Sequence, residues 1–343
     1  MTGVPYNFVI FGKDSKISLL TSCFCKRSRE EYAAATGKDQ DQENVITPPY
    51  LNKDDKIGII APARCINFEE VHPSIRVFQK WGLEVELGTN IFRKCNQFAG
   101  KDDQRLADLQ QMLDDDSIRA VVCARGGYGT VRIIDHLDFT TLLKKPKWIV
   151  GYSDITVLHS HIHRHLGIET IHAIMPINIT SDDANDDSQE TLRNALFGKL
   201  RSYSYTATPL ARQGETEGIL TGGNLSVLYS LMGSDSEIDT AGKILFLEDV
   251  DEYLYHIDRM IMNLKRAGKL KKLKGLIVGG MDRMNDNKVP YGRTANEIIA
   301  EAVAEYDYPV CFDFPAGHGE TNLALILGRN VRLTIGKETE IIF

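Results

Sequence analysis

Short apolar runs alternate with amphipathic segments from Lys56 to about Gly167, and this alternation restricts the fold more than any other feature of the sequence. The runs KIGIIAPA, LEVEL, IRAVVCA and KWIVG have the length and composition of strands. The segments NFEEVHPSIRVFQKWG and DDQRLADLQQMLDDD carry apolar residues at helical spacing, and GTVRIIDHLDF and DITVLHSHIHRHLG are predicted to begin the next helices. Such alternation predicts an α/β fold whose parallel sheet is covered on both faces.

The chain divides into four regions by composition. Residues 1–44 are polar and show no sustained period, which predicts a flexible N-terminal extension. Residues 45–180 carry the α/β pattern, and residues 181–215 are polar and irregular, as is typical of a linker. Residues 216–343 contain many short apolar runs and two clear helical segments, so we expect a smaller β-rich C-terminal domain there.

Charge and cysteine content restrict the class of partner. The formal net charge is −7, which gives no electrostatic reason to expect nucleic acid or an anionic membrane. Lys13, Asp14 and Lys16 interrupt the one N-terminal stretch that resembles a secretion signal, and no apolar run approaches the roughly 20 residues of a membrane span. The six cysteines form neither a C-x-x-C pair nor a zinc-type cluster. We therefore expect a cytoplasmic protein without a metal.

Ser153 follows a predicted strand, in the sequence GYSD, where the next helix is predicted to begin. Two interpretations are open from this segment alone. Ser153 or Asp154 could cap the helix, because these side chains accept hydrogen bonds from the first helical turn. The alternative is a nucleophile elbow, which presents a serine hydroxyl above the sheet. Ile155 stands where the usual G-x-S-x-G pattern has its second glycine, so that motif is half matched.

A glycine-rich turn, CARGGYG, follows another predicted strand. Gly126 and Gly127 would let backbone N–H groups approach a ligand closely, and a helix N-terminus favours negative charge. The glycine spacing matches neither the dinucleotide fingerprint nor the lysine-bearing phosphate loop. A tight turn without any ligand explains the segment equally well.

Two further polar groups follow apolar runs in the second half of the chain. Glu248 follows LFL, and His318 lies between two glycines in PAGHG. Taken singly, Glu248 is explained as a helix-start acid and His318 as a surface-loop residue. With Ser153 they supply the nucleophile, the orienting carboxylate and the base that acyl transfer by serine requires. The N–H groups of Asp154 and of the glycine turn are then candidate oxyanion donors.

From about Pro48 to Phe343 the chain resembles the serine LD-carboxypeptidases, a family that includes muramoyltetrapeptide carboxypeptidases and microcin C immunity peptidases. The matching segments are KIGIIAPA, FAGKDDQRLADLQ, ARGGYGTVRII, GYSDITVLH, GGNLS, LFLEDVDEYLYHIDRM, and GHG with Asn322 soon after. The resemblance implies a flavodoxin-like N-terminal domain, a β-rich C-terminal domain and an active site at their interface. It also implies a homodimer that uses no cofactor and no metal.

The same resemblance implies roles for individual residues. Ser153 takes the place of the family's nucleophile, and Glu248 and His318 those of its triad partners. Oxyanion stabilisation falls on the backbone of Asp154 and of the Gly126–Gly127 turn. The implied reaction releases D-alanine from murein tetrapeptides during cytoplasmic cell-wall recycling. Two departures are residues 1–44, which lie outside the family pattern, and HAIMP at 172–176, which replaces an HGPM-like run.

Binding of the substrate's free carboxylate needs a cation or a cluster of N–H groups near the triad. Arg125, before the glycine turn, and Arg259, after Glu248, are the candidate cations, and each is also explained as a structural ion-pair partner. Asn224 in GGNLS is a candidate donor to substrate or a cap of the helix that it begins.

Two other functions stay open from the sequence. A peptidase of the microcin immunity type would cleave the amide of a peptidyl nucleotide and would need an aromatic platform for the base. The tryptophans, Trp81 and Trp148, both occupy predicted core positions. A non-catalytic muropeptide-binding protein would use the glycine turn as an anion loop and Ser153 as a cap. The complete Ser, Glu and His set favours the carboxypeptidase over this binding protein.

Overall fold

The computed structural model describes residues 45–180 and 186–343. These residues belong to one compact unit, Glu43–Phe343. The predicted flexible extension over residues 1–44 lies outside the described residues and stays a prediction. The strands within the described residues form two sheets.

Parallel strands from the N-terminal half form most of the first sheet. They are β1 (Lys56–Ile60), β2 (Glu84–Leu87), β3 (Ile118–Cys123), β4 (Trp148–Val150) and β5 (Thr170–His172). Their spatial order, β2-β1-β3-β4-β5, is the flavodoxin-like order of doubly wound sheets. The predicted parallel sheet is therefore confirmed. A strand from the C-terminal half, β11 (Leu325–Leu327), completes this sheet by antiparallel pairing with β5, which the apolar pattern did not indicate.

Helices connect these strands in chain order: α1 (Phe68–Lys80), α2 (Asp102–Asp114), α3 (Thr140–Lys144) and α4 (Thr156–His165). Helix α1 begins with a capping box. The Asn67 side chain accepts the Glu70 N–H at 2.9 Å, and the Glu70 carboxylate accepts the Asn67 N–H at 2.9 Å. Of the residues that the sequence periodicity places on the inner face of α1, Val71 and Phe78 are buried, whereas Ile75 and Trp81 are half-buried.

The segment after the glycine turn differs from the prediction of one helix beginning at GTVRIIDHLDF. It forms two separate 3-10 turns, Thr130–Arg132 and Ile134–His136, before α3 begins. Asp138 interrupts helical bonding, because its carboxylate accepts the Thr140 N–H at 2.8 Å and so stabilises a local turn. Gln110 on α2 bonds to the backbone N–H and C=O of the same Asp138, which fixes the break.

The second sheet is mixed. Strands β7 (Gly214–Asn224), β8 (Ile244–Val250), β9 (Gly275–Asp282) and β10 (Val310–Cys311) are successive parallel neighbours. Beyond β7 the sheet continues with antiparallel pairs formed by β12 (Asn330–Ile335), β13 (Glu338–Ile342) and β6 (Ser202–Thr206). The predicted fold class, an α/β part with a parallel sheet and a further β-rich part, is confirmed.

The helices of this second half are α5 (Asp187–Leu196), α6 (Leu225–Ser230), α7 (Leu254–Arg266) and α8 (Ala295–Ala302). Among the described residues, no helix combines the length and the apolar character that spanning a membrane requires.

The segment 181–215, predicted to be irregular, contains α5 and β6 in its described part. Asp186 caps α5 by accepting the N–H of Ser188 at 2.9 Å. The buried face includes the polar residues Ser188 and Gln189 beside Leu192 and Leu196, so the apolar helical period is faint in the sequence.

A hydrogen bond joins helix α4 to the second sheet. Thr156, the first residue of α4, accepts the backbone N–H of Asn224 at 3.0 Å through its hydroxyl. Asn224 is the last residue of β7, and β7 is the parallel neighbour of β8. The turn between β4 and α4 is therefore tied to the strands that carry Glu248.

Candidate active site

Ser153 occupies a strained turn between β4 and α4. Its φ is 63°, in the left-handed region, which costs a residue with a Cβ about 1–2 kcal/mol. Gly151, with φ 156°, precedes the turn, and a short 3-10 segment, Ser153–Ile155, leads into α4. Residues held in such conformations cluster at functional sites, so the strain points to a role for Ser153 beyond packing.

Neither Ser153 nor Asp154 caps α4. The cap residue is Ile155, whose side chain cannot accept a hydrogen bond. The Asp154 carboxylate accepts the backbone N–H of Thr130 at 2.8 Å instead. The geometry therefore favours the elbow interpretation over the capping interpretation.

The missing second glycine of the elbow motif is explained by packing. Ile155 is fully buried, and a Cβ at Gly151 would lie 2.8 Å from its Cγ1 atom. His159 Nε2 donates to the carbonyl oxygen of Gly151 at 2.8 Å, and Gly151 N–H donates to the carbonyl of Ile171 at 3.0 Å. These contacts hold the turn against α4 and β5 with a single glycine.

The glycine turn faces Ser153. A Cβ at Gly126 would lie 2.9 Å from the Cβ of Ser153 and 3.1 Å from its Oγ atom. Gly127 has φ 106°, and a Cβ there would lie 3.0 Å from the Arg64 side chain. Glycine at position 126 therefore keeps backbone, and no side chain, next to the Ser153 hydroxyl, and glycine at position 127 permits the positive φ and the close approach of Arg64.

His318 and Glu248 form a direct pair. His318 Nδ1 lies 2.7 Å from Glu248 Oε2, and the Glu248 side chain is fully buried. Because a carboxylate only accepts, Nδ1 carries the proton and donates, which leaves Nε2 of the neutral ring free to accept a proton. Two residues 70 positions apart in the chain are thus brought together.

The glycine before His318 is required by this pair. Gly317 has φ 134°, and a Cβ there would lie 3.1 Å from Glu248 Oε2. Its N–H donates to the Asn322 side chain at 3.1 Å, which fixes the loop that carries His318. A larger residue at position 317 would push the imidazole away from its carboxylate.

The electrostatics of the pair favour a basic imidazole. Burial alone would lower the pKa of His318. The hydrogen bond and negative charge of Glu248, helped by the charges of Asp249 and Asp282, outweigh burial and raise the pKa of His318 above its ordinary value. His318 is therefore a better proton acceptor than an unpaired buried histidine.

Tyr152 joins the serine turn to His318. It immediately precedes Ser153, and its ring centroid lies 4.8 Å from that of His318. The Asn178 side chain donates to its hydroxyl at 3.2 Å, and burial raises the pKa of the phenol, so Tyr152 is neutral. Sequence reasoning missed this contact, since an aromatic residue beside the serine was its only signal.

Asp249, next to Glu248 in β8, supports the strand end. Its carboxylate accepts the Asn224 side-chain N–H at 3.1 Å and the Ser226 N–H at 2.8 Å. Burial, followed by the charge of Glu248, raises the pKa of Asp249 to about 7. Asn224 also caps α6 by accepting the Val227 N–H at 3.1 Å. Its polar atoms are thus used within the protein, which favours the capping alternative over a substrate donor.

The two candidate cations have different surroundings. Arg125 donates to the Cys65 carbonyl at 3.3 Å and pairs with Glu70 at 3.6 Å, and both distances are long for contacts of their kind. Its side chain is 29% exposed. Arg259 stacks over the exposed ring of Tyr255 at 5.2 Å. Arg125 lies beside Gly126, which faces Ser153, whereas Arg259 projects from α7 towards an aromatic side chain.

Two more groups near the site were not predicted. Asp282 ends β9 next to the His318 loop, since a Cβ at Gly319 would lie 3.4 Å from its Oδ1 atom. His172, the first residue of HAIMP, is fully buried between Tyr152 and Phe246, and burial lowers its pKa well below the ordinary value. His172 is therefore a neutral packing residue. In the described part of the chain, no cluster of three or more His, Cys, Asp or Glu side chains could hold a metal ion.

Comparison with known protein families gives two matches. The model of the LD-carboxypeptidase N-terminal domain matches residues 57–173. The model of the LD-carboxypeptidase C-terminal domain matches residues 217–333. The first match includes Ser153 and the glycine turn, and the second includes Glu248 and His318.

Individual relatives agree with the family match. A probable murein peptide carboxypeptidase of Bacillus subtilis is 36% identical over 86% of this chain and 93% of its own length. A murein tetrapeptide carboxypeptidase of Pseudomonas aeruginosa is 30% identical over 82% of this chain and 93% of its own length. The crystal structure of a muramoyltetrapeptide carboxypeptidase from Oxalobacter formigenes superposes with a TM-score of 0.76, at 27% identity, over 84% of this chain and 98% of that chain.

A microcin C7 self-immunity protein has the same fold. Its structure superposes with a TM-score of 0.77 over 87% of this chain and 98% of that chain, at 21% identity. At that level of identity the likeness concerns the fold alone.

Proposed function

The chain belongs to the LD-carboxypeptidase family, and we propose that it releases the terminal D-alanine from murein tetrapeptides in cell-wall recycling. One observation carries the proposal. His318 is hydrogen-bonded to buried Glu248, and the same ring packs on Tyr152, whose neighbour Ser153 has a strained φ. This arrangement supports a Ser153–His318–Glu248 triad of the kind that acyl transfer requires.

The first step of the proposed reaction forms a tetrahedral adduct between Ser153 and the substrate. Ser153 Oγ attacks the carbonyl carbon of the bond to D-alanine, while His318 Nε2 accepts the hydroxyl proton. Glu248 stabilises the imidazolium and keeps the ring oriented through Nδ1. The carbonyl oxygen becomes an oxyanion, for which the N–H groups of Asp154 and of the Gly126–Gly127 turn are the proposed donors.

Collapse of this adduct gives the acyl-enzyme, and hydrolysis of the acyl-enzyme returns the protein to its starting state. The C–N bond breaks as His318 gives its proton to the departing amine of D-alanine. Water then attacks the ester on Ser153, His318 accepts a proton from this water, and the tripeptide carboxylate leaves as Ser153 regains its proton. Every proton passes through one imidazole nitrogen, so a raised His318 pKa assists both acceptance steps.

We assign the substrate's terminal carboxylate to Arg125. Its own contacts, to the Cys65 carbonyl and to Glu70, are long and leave N–H donors available next to the glycine turn. A guanidinium is well suited to a carboxylate, which it binds through two parallel hydrogen bonds. Arg259 is a weaker candidate because its guanidinium stacks on Tyr255.

The two alternative functions have less support. The immunity-type activity rests on a fold likeness at 21% identity, whereas relatives named as murein carboxypeptidases reach 36% and 30%. Trp148, a possible nucleobase platform, is fully buried. A purely binding protein would have no use for a buried His318–Glu248 pair that packs on Tyr152, the residue before a strained serine.

We further propose that the protein acts in the cytoplasm and as a homodimer. Cys65, Cys95, Cys123 and Cys311 are free thiols, which suits a reducing compartment. Light scattering on the purified protein tests the dimer, and fractionation of cells that produce it tests the compartment.

A product assay tests the function directly. The purified protein is incubated with murein tetrapeptides that carry either lysine or diaminopimelate at the third position, and products are identified by mass spectrometry. We expect loss of one D-alanine, and no loss with the Ser153→Ala variant. A peptidyl-adenylate mimic is tested in parallel. Cleavage of the mimic without D-alanine release would reject the proposal in favour of the immunity type, and D-alanine release by Ser153→Ala would reject the nucleophile.

A further inference from the structure

A buried carboxylate without a role in the proposed reaction lies one residue from Ser153. Asp154 is 3% exposed, and a carboxylate in such a place is costly unless strong partners stabilise it. Burial raises the pKa of Asp154, and the hydrogen bond from Thr130 and the charge of Arg105 act against that rise. The hydrogen bond of Asp154 goes to the glycine-turn segment and not to His318.

This hydrogen bond connects two separate segments of the proposed oxyanion site. The Asp154 carboxylate accepts the N–H of Thr130 at 2.8 Å, and Thr130 is the fully buried residue that follows CARGGYG. The carbonyl group of the same peptide bond, that of Gly129, accepts a hydrogen bond from the buried Arg105 guanidinium at 2.9 Å. The far end of the glycine turn is thus anchored on both its N–H and its C=O groups.

The near end of the same turn lies against the nucleophile. Gly126 approaches Ser153 so closely that a Cβ would lie 2.9 Å from the serine Cβ. The two proposed oxyanion donors belong to different segments, so covalent geometry does not set the distance between them. Donors stabilise an oxyanion only when each lies about 2.7–3.1 Å from the oxygen. A direct bond between the segments can set this distance.

We propose that the Asp154 side chain is a positioning residue, which sets the spacing between its own backbone N–H and the N–H groups of the Gly126–Gly127 turn by holding Thr130. The inference rests on the proposed function, since it concerns stabilisation of that reaction's oxyanion. The charge of Asp154 is secondary to its geometry, and an uncharged acceptor of the same shape preserves the effect.

Three variants test this role: Asp154→Ala, Asp154→Asn and, as a matched control, Asp108→Ala. Asp108 is also 3% exposed and its carboxylate also accepts a backbone N–H, that of Asn90 at 2.9 Å, but it lies on α2 beside Gly88. We expect Asp154→Ala to lower kcat about 100-fold with KM changed less than about threefold. Asp154→Asn retains kcat within about tenfold, because its amide oxygen can accept the Thr130 N–H. Asp108→Ala lowers stability and leaves kcat per folded molecule unchanged.

A second readout separates positioning from loss of folded protein. A tripeptide boronate forms a tetrahedral adduct with a serine hydroxyl and so presents a negatively charged oxygen to the donors. We expect Asp154→Ala to weaken boronate binding by the same factor as kcat, whereas binding of the uncleaved tetrapeptide to the Ser153→Ala, Asp154→Ala double variant equals that of Ser153→Ala.

Three outcomes overturn the inference, and they can be distinguished from one another. If the wild-type protein releases no D-alanine, the proposed function fails and this inference fails with it. If the wild type is active and Asp154→Ala matches it in kcat and in boronate affinity, only the positioning role fails. Equal losses in Asp154→Asn and Asp154→Ala would also overturn it, because they would assign the effect to charge.

Discussion

His318 donates through Nδ1 to Glu248 Oε2 over 2.7 Å, although the two residues come from a loop and a strand far apart in the chain. The pair holds the imidazole in one tautomer and directs Nε2 away from the carboxylate. It also determines how activity depends on pH, because the proposed reaction needs His318 neutral at the start of each cycle.

Replacing Glu248 by Gln should move the pH profile to lower pH. Burial lowers the pKa of His318 and Glu248 raises it, so removal of the charge leaves burial dominant and the pKa falls. The rise of kcat/KM with pH then occurs at lower pH, and its plateau is lower by about 100-fold or more, since the imidazolium loses its partner. The measurement is kcat/KM for D-alanine release over a range of about two pH units on either side of pH ~7.

The control for this experiment is Glu169→Gln. Glu169 is a buried carboxylate paired with Arg329 at 2.6 Å, next to the start of β5. This variant should lose stability and keep the wild-type profile. An unshifted profile in Glu248→Gln would show that another group is the base.

Ser153→Gly should be more stable than Ser153→Ala, although both lack the nucleophile. The left-handed φ of 63° penalises a residue with a Cβ by about 1–2 kcal/mol. Glycine loses more conformational entropy on folding than alanine, and this loss offsets part of that advantage. We expect the free energy of unfolding by urea to be about 0.5–1 kcal/mol higher for the glycine variant. The pair Gln111→Gly and Gln111→Ala, in the middle of α2, should show the opposite order. Equal stabilities at position 153 would mean that the turn relaxes.

Gly126→Ala should lower activity far more than stability. The new Cβ would meet Ser153 Cβ at 2.9 Å and Oγ at 3.1 Å, so either the hydroxyl or the glycine turn must move. A displacement at a reacting group costs on the order of 100-fold in kcat. At Gly336 a Cβ would meet its nearest neighbour at 3.8 Å, and Gly336→Ala should match the wild type. Full activity in Gly126→Ala would place the reacting serine elsewhere.

Acid should destabilise the protein partly through His159. Burial lowers the pKa of His159 from 6.5 to about 4 in the folded protein. Between these values the unfolded chain binds the proton and the folded chain does not. The stabilisation that neutral His159 contributes is therefore fully present above pH 6.5 and is lost as the pH falls to about 4. The loss in the free energy of unfolding is on the order of 3 kcal/mol.

The variant His159→Gln isolates this contribution, because glutamine can still donate to the Gly151 carbonyl but does not titrate. Its free energy of unfolding should fall less steeply than that of the wild type between pH 6.5 and 4. Parallel curves for the two proteins would assign the acid sensitivity to other groups.

The sequence allows prediction of the elements that have a strong local pattern. The strands β1 to β4 and the helices α1, α2 and α4 each have a clear apolar pattern in the sequence, whereas β5 was not predicted. Helix α5 was missed because two of its buried positions, Ser188 and Gln189, are polar. The run LALILG indicated the strand β11, but its pairing with β5 was not predictable, because this pairing depends on the whole second half being folded. The break at Asp138 arises from a local side-chain bond that competes with the helix.

The candidate site was predictable where a polar, chemically reactive residue directly follows an apolar run. Ser153, Glu248 and His318 each follow an apolar run, and their chain order suggested the triad. Tyr152, Asp249 and Asp282 were not predictable, because their roles depend on which side chains the fold places beside His318. For Asn224, the sequence left a cap and a substrate donor open, and only its contacts separate them.

The pairing of β11 with β5 has a consequence for how the molecule is made. During synthesis the strands β6 to β10 leave the ribosome after β5 and before β11, so the edge of the first sheet stays open until five of the seven strands of the second sheet have emerged. The turn that carries Ser153 is attached to the edge strand β5, because the Gly151 N–H donates a hydrogen bond to the Ile171 carbonyl. Neither half is therefore an independent module. Recombination that exchanged one half for that of a distant relative would have to preserve the pairing between β5 and β11.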